Sequence, residues 1–335
     1  VNPVDEGEPP LVGIDAIRAA ARRLDGVTMR SPLVPFGPPQ DRRFLKAESL
    51  QPIGAFKLRG AYNALAVLEP SVRARGVVTH SSGNHAQGVA RAARIFGVRA
   101  IAVMPGDAPA VKRIAVEADG AEVVTVGASS DERARVAREI ATERGMTLIP
   151  SYDDDSIIAG QGTVGLEIAE DLPDIAAVLV PVGGGGLASG VAVAVHSLAP
   201  AARIIGVEPE LGADGRESLA RGEIVSWSAE AVSRTIADGT RTQSLGLRTF
   251  AHLRVHLDSI VTVSEAEIAA AVRLAAERAR LVVEPSGALS VAALVFRGNE
   301  LGLDRVEGPV VAVASGGNVD PDRYREYLAA AIPGR

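Results

Sequence analysis

The chain has 335 residues, of which 47% are hydrophobic, enough to build a buried core in one large domain or two closely joined ones. A formal charge of -6 argues against nucleic-acid binding, which needs a basic face to neutralise phosphates, and the 3% aromatic content supplies no stacking platform in its place. With no cysteine, disulfides, thiolate nucleophiles and zinc–thiolate sites are excluded, so any covalent chemistry falls to another residue type, and cytoplasm is the default compartment.

The start, VNPVDEGEPP, reads as a loose acidic tail with neither the basic nor the apolar region of a signal peptide. VGIDAIRAAARRL carries apolar positions at helical spacing and predicts an amphipathic helix. An irregular stretch then leads to RFLKAES, a predicted strand. Next comes ESLQPIGAFKLRGAYN, in which Lys57 follows Pro52, Ile53, Gly54, Ala55 and Phe56. Such apolar surroundings disfavour the charged form and lower a lysine pKa from its ordinary value near ~10.4 towards a nucleophilic neutral amine. The alternative is a lysine that opens the helix LRGAYNALAVL and reaches solvent along its stem.

From Val77 short β-branched runs alternate with helical stretches: GVVTHSS, NHAQGVARAARIFG, VRAIAVM, APAVKRIAVEADG, AEVVTV, SDERARVAREIATERG and TLIPS. A second set follows, with SIIAGQGTVGLEIAEDL as a helix, AAVLVPV as a strand, LASGVAVAVHSLA as a helix and RIIGVEP as a strand. SIVTVS, a long helix from Glu265, the helix EPSGALSVAALVF and the strand PVVAVASGG complete the pattern. This βαβ rhythm predicts an α/β fold with two open, mainly parallel sheets covered by helices, with ligands at the carboxyl ends of strands. A small domain is predicted at 76–150, inserted into a larger one built from 1–75 and 151–335. The uncharged window Ile175 to Val195 holds Pro181 and four successive glycines, which would leave backbone groups unsatisfied in lipid, so it reads as buried strand, turn and helix rather than a membrane span.

The chemistry-bearing loops fall at strand ends. Ser81, Ser82, Gly83, Asn84 and His85 open a helix after the strand VVTH, where hydroxyls, the amide and free backbone N–H groups either cap the helix or receive a carboxylate or phosphate. His85 by itself is weak evidence, since a histidine beside a helix start is more often structural. Gly183, Gly184, Gly185 and Gly186 join a strand to a helix; so many glycines are costly in chain entropy, and their N–H groups form a nest for a phosphate held without counter-charge. The same unit also matches a dinucleotide fingerprint, Gly183-x-Gly185-x-x-Ala188 with Glu208 further on, as in a nicotinamide-dependent oxidoreductase. Ser315, Gly316, Gly317 and Asn318 end the last strand, either as a plain turn or with Ser315 offering a hydroxyl to a heteroaromatic nitrogen. Glu208, Gly212 and Asp214 place two carboxylates and a glycine carbonyl on one turn, a candidate site for Mg²⁺ or Ca²⁺, against the alternative of a solvated acidic loop.

Taken together, GAFKLRGA, SSGNHAQG, PVGGGGLASG, EPSGA and VASGGN resemble the motif set of fold-type II pyridoxal-phosphate enzymes, the tryptophan synthase β-like fold, and in particular the threonine dehydratase and serine racemase family. The resemblance implies pyridoxal 5'-phosphate held covalently by Lys57, flanked by Phe56, with Asn84 at the ring hydroxyl, Gly183 to Gly186 on the phosphate and Ser315 facing the ring nitrogen. It further implies that Ser81, Ser82, Gly83, Asn84 and His85 receive the carboxylate of a small amino-acid substrate, that Gly239 lines the same cleft, and that the protein is a homodimer; the charge and the apolar window lead us to expect no nucleic-acid or membrane partner. The activity implied is an ammonia-lyase eliminating water from L-threonine or L-serine, with Lys57 and Ser82 as catalytic residues. A serine racemase or a hydroxyaspartate-type dehydratase on the same scaffold is the alternative. Ile53-Gly54-Ala55 departs from a Thr-Gly-Ser pattern in relatives, losing two hydroxyls, and Ile149 replaces a histidine, against an ATP-type effector site. The short sequence after Asp320 leads us to expect no isoleucine-type regulatory domain.

Overall fold

The computed structural model describes residues 10–81, 83–127 and 130–334. Among them ten strands form two sheets: β1 (Leu33–Pro35), β2 (Arg43–Ala47), β3 (Val77–His80), β4 (Ala100–Pro105), β5 (Glu122–Val126), β6 (Thr147–Leu148), β7 (Ala177–Pro181), β8 (Arg203–Pro209), β9 (Ser259–Val263) and β10 (Val310–Ala314). The larger sheet runs β1-β2-β10-β7-β8-β9 and is parallel except for β1, which pairs antiparallel with β2. The smaller, β5-β4-β3-β6, is parallel throughout. All its strands lie within residues 76–150.

The predicted α/β architecture with two mainly parallel sheets is therefore present. The central strands β7 and β10 are buried at every residue, as continuous apolar runs covered on both faces must be. The uncharged window resolves into β7 and the helix Gly186–Leu198, which packs against the helix Asp155–Asp171 so closely that a Cβ at Gly190 would overlap the carbonyl oxygen of Ile158. Among the described residues no helix is long and apolar enough to cross a membrane.

The helices Pro70–Arg73, Asp214–Arg221, Ala229–Ser233 and Leu247–His256 lie where no element is predicted, and two further elements differ from the expected pattern. The stretch before Arg43, read as irregular, contributes β1; three residues ending in proline are too short to show a period, and an edge position tolerates the missing donor. The helix that starts at Glu265 stops at Leu274 and continues as a π-helical turn, Ala275–Ala279, closed by Arg280 at φ 60°.

Candidate active site

The lysine segment is docked on the carboxyl end of β10. Phe56 N–H donates to the Ser315 carbonyl at 3.1 Å, and Gly317 N–H donates to the Gly54 carbonyl at 2.8 Å. Gly54 has φ +70°, and a Cβ there would overlap the Asn318 side chain, so the bend needs glycine twice over. The helix Lys57–Val67 starts at the lysine itself. Lys57 Nζ donates to the Ser151 carbonyl at 2.9 Å and lies 5.0 Å from the Phe56 ring centroid. Burial lowers its pKa to about 8, which gives an appreciable neutral fraction near physiological pH. The solvent-reaching alternative is thereby set aside.

The loop after β3 faces this lysine. Ser82 lies outside the described residues. Ser81 Oγ accepts from Gly83 N–H at 3.2 Å, and Gly83, with no side chain to cap the first turn, precedes the helix Asn84–Phe96. Asn84 donates to Glu284 Oε1 at 2.5 Å and accepts from Asn318 Nδ2 at 2.9 Å. His85 is buried, its Nε2 3.4 Å from the Ile149 carbonyl, and burial together with the nearby Lys57 charge lowers its pKa to about 3. It is a neutral imidazole, not a cation for a carboxylate.

The four glycines connect β7 to the helix Gly186–Leu198, with Gly185 at φ +94°. A Cβ at Gly184 would overlap the Tyr152 ring, and one at Gly185 would sit 2.8 Å from Thr249 Cβ. Side chains therefore crowd the loop, which itself lines the cavity. That cavity, about 490 Å³, brings together Phe56, Lys57, Ser81, Gly83, Asn84, His85, Gly183, Gly184, Gly185, Gly186, Gly239 and Ser315.

Residues that the sequence reading did not assign a role complete the walls. Tyr152 backs the glycine loop, and burial, with the charges of Asp153 and Asp214, raises its pKa to about 12. Ser286 Oγ accepts from Gly239 N–H at 2.8 Å. Lys112 Nζ stands 2.6 Å from Asp238 Oδ2 and 2.9 Å from Glu284 Oε2. Burial raises the Glu284 pKa against the pull of Lys112. Asp238 precedes Gly239 and Glu284 opens EPSGA, so for these two the signal was an acid beside a position already singled out; Tyr152 had no such neighbour.

Glu208 and Asp214 lie apart from the cavity lining, at the end of β8 and the start of the helix Asp214–Arg221. Both are buried, so the solvated acidic loop is excluded. Glu208 accepts from Gly215 N–H at 3.0 Å and Arg216 N–H at 2.8 Å, whereas Asp214 Oδ2 has no hydrogen-bond partner. Burial and the Asp214 charge push Glu208 well above the usual carboxylate range, and burial raises Asp214 to about 7. Among the described residues no group of three or more His, Cys, Asp or Glu side chains forms a metal cluster. The dinucleotide reading fails here as well, because its acidic residue, Glu208, is turned into the protein onto its own following turn.

Residues 29–316 match the family model described as pyridoxal-phosphate dependent enzyme. The chain is 43% identical over 291 residues to an L-threo-3-hydroxyaspartate ammonia-lyase of Saccharomyces cerevisiae, covering 87% of each protein. It is 43% identical over 316 residues to an L-threonine ammonia-lyase of Thermotoga maritima, covering 92% of this chain and 76% of that one. The solved structure of maize serine racemase superposes with a TM-score of 0.88 at 36% identity, over 95% of this chain and 97% of that one. The chain belongs to the pyridoxal-phosphate dependent enzyme family, and its fold is that of the fold-type II members. The site fits that cofactor: a half-buried amine of lowered pKa, a glycine loop with no room for side chains, and a neutral serine at the end of β10 share one cavity.

Proposed function

We propose that this member of the pyridoxal-phosphate dependent enzyme family eliminates water from a small 3-hydroxy amino acid, L-threonine or L-serine first, releasing a 2-oxo acid and ammonia. The carrying observation is the Lys57 amine, with its pKa lowered to about 8, in one cavity with the glycine loop and the helix-opening serine loop. Lys57 would hold the cofactor, Phe56 flank it, Asn84 meet its ring hydroxyl, Gly183 to Gly186 bind its phosphate through backbone N–H groups, and Ser315 face its nitrogen. Bound there, the cofactor supplies an electron sink for the pair left at Cα.

The chain's own residues do the rest. The loop Ser81 to His85 receives the substrate carboxylate on hydroxyl and backbone donors, with Gly239 lining the opposite side. The Lys57 amine takes the Cα proton, a step that suits a base poised near neutral pH. Ser315 is a neutral hydroxyl where a carboxylate would enforce ring protonation, which favours elimination over transamination. Ser82 supplies a group for the second face of the substrate, giving racemisation as a minor activity.

A second reading, elimination from a 3-hydroxy amino acid with an acidic side chain, is favoured by Arg241, a basic residue of the cavity lining whose Nε and Nη2 are held by the Thr235 carbonyl. The yeast relative's name supports it. Purified protein is expected to show the visible absorbance of a lysine-bound pyridoxal and to release 2-oxo acid from L-threonine or L-serine. Release from L-threo-3-hydroxyaspartate alone would replace the first reading by the second. No visible absorbance and no 2-oxo acid would overturn both. Ser82→Ala should abolish racemisation and leave elimination of the L-substrate; equal loss of both makes Ser82 a carboxylate anchor.

Three further readings accompany this one. A division into lobes at 76–150 is supported by the containment of β3 to β6 in that span. Mg²⁺ or Ca²⁺ at Glu208, Asp214 and the Gly212 carbonyl is supported by two buried like charges and the unpartnered Asp214 oxygen. A cytoplasmic location rests on the absence of cysteine and a homodimer on the family resemblance, and light scattering tests the assembly.

A further inference from the structure

Lys112 belongs to the helix Ala110–Ala118, which leads into β5 of the smaller sheet, yet its ammonium ends among residues that precede β9 and β10 of the larger one. Its stem lies on Gly83, where a Cβ would overlap Lys112 Cδ. Its Nζ holds Asp238 Oδ2 at 2.6 Å and Glu284 Oε2 at 2.9 Å, and the side chain is 4% exposed. Burial works against the charge, but the two carboxylates outweigh it and raise the lysine pKa above its ordinary value.

Each partner continues into the cavity, Glu284 through Asn84, which the proposed reading shares between the substrate loop and the cofactor, and Asp238 through Gly239. Glu284 Oε1 accepts from Asn84, the first residue of the helix behind the Ser81 to His85 loop. Asp238 precedes Gly239, whose N–H is held by Ser286 Oγ, itself 3.4 Å from Asp238 Oδ1. One ammonium therefore joins the loop and the Gly239 segment, which come from opposite sides of the cavity. Nothing in the proposed reaction requires it to touch the reacting atoms.

We infer that Lys112 is a positioning residue for the substrate carboxylate: its stem supports Gly83, and its ammonium sets the spacing between the Ser81 to His85 loop and the Asp238–Gly239 segment. The inference rests on the proposed reading of that loop as the carboxylate site. Lys112→Met keeps the stem and removes the charge, leaving Asp238 and Glu284 without their shared cation.

In the cofactor-loaded protein, Lys112→Met is expected to raise the KM for the eliminated 3-hydroxy amino acid about tenfold or more, as loss of a charge-assisted contact does. The same variant should leave kcat within about threefold and keep the visible absorbance band, since Lys57, which would hold the cofactor, is untouched. L-alanine, which has no hydroxyl to eliminate, is expected to bind the variant about tenfold more weakly by calorimetry. Lys112→Arg should recover most of that affinity. If Lys112→Met does not fold, Asp238→Asn, which removes one of the two partners, is expected to raise KM about threefold or more.

Equal L-alanine affinity in the unmodified and Lys112→Met proteins, with normal absorbance in both, overturns the assignment alone. Loss of the absorbance band in Lys112→Met places the lysine in the cofactor site and overturns it as well. An unmodified protein with neither visible absorbance nor L-alanine binding overturns the functional reading, and the assignment with it.

Discussion

Glu48 and Arg59 meet through two hydrogen bonds, Nε to Oε2 and Nη2 to Oε1, each 2.8 Å long, with both side chains at most 1% exposed. Arg59 Nη1 continues to Glu167 Oε1 at 2.6 Å, and Lys46 Nζ reaches Glu167 Oε2 at 2.6 Å. The cluster joins β2, the helix Lys57–Val67 and the helix Asp155–Asp171, with Lys57 two residues from Arg59.

Removing Arg59 leaves the buried Glu48 without its guanidinium partner and Glu167 with Lys46 alone. Arg59→Met is expected to cost about 3–5 kcal/mol in urea unfolding, the range for a broken buried pair. Burial alone would raise the Glu48 pKa, but Arg59 outweighs it and holds the carboxyl below its ordinary value. Its contribution to stability is therefore full above the unfolded pKa and disappears as pH falls through the lower folded value. Glu48→Gln should flatten the acid limb of the stability profile; an unchanged limb would show that other carboxylates set it.

Lys57 titrates in the opposite sense. Burial takes its pKa from 10.5 to about 8, so between those values the folded, cofactor-free chain binds fewer protons than the unfolded one. Stability therefore rises with pH across that window, because the charged amine is penalised below it. Lys57→Met is expected to stabilise the cofactor-free protein at pH 7, an advantage that fades towards pH 10.5. Borohydride reduction of the loaded protein should label Lys57 on peptide mapping. A label on Lys46 or Lys112 would remove Lys57 from its role.

The carboxylates at the end of β8 predict a third pH effect. Burial and the Asp214 charge raise Glu208, and burial raises Asp214 to about 7, so without a cation stability falls as pH rises through their folded values. A divalent cation would remove that penalty. EDTA is expected to lower Tm clearly at pH 8 and little at pH 5.5, with Mg²⁺ or Ca²⁺ restoring it. Unchanged Tm and activity at both pH values would eliminate the site.

Local residues made much of this legible. Lys57 stood out by its apolar neighbours, and Gly183 to Gly186 by a glycine density no simple turn needs. The strand and helix pattern was readable wherever a period had room to repeat, and β1, with three residues, gave it none. The Lys112 triad had no local signal, because its partner Asp238 lies 126 residues away and only packing of the chain brings them together. Glu48 and Arg59 were in view within the lysine segment, but their pairing depends on burial, which charged residues in a sequence do not advertise.

Gly184 tests the phosphate cradle itself. It is absent from the positive-φ glycines, so alanine would meet no backbone penalty there; the obstacle is steric, because the new Cβ would overlap the Tyr152 ring. The ring cannot retreat easily. Its neighbour Asp153 accepts from the N–H groups of Leu247, Arg248 and Thr249 at 3.1, 2.8 and 3.2 Å, which pins the segment to the start of the helix Leu247–His256. The glycine loop must therefore give way, carrying its N–H groups out of line. Gly184→Ala is expected to weaken cofactor binding about tenfold or more, with an overpacking cost of ~1–3 kcal/mol in thermal unfolding. Adding Tyr152→Ala removes the obstacle and should recover most of the lost affinity, so the two substitutions combine far from additively. Cofactor affinity unchanged in Gly184→Ala would show that the loop does not hold the phosphate. A loss that Tyr152→Ala fails to relieve would place the constraint in the loop backbone instead of in the ring behind it.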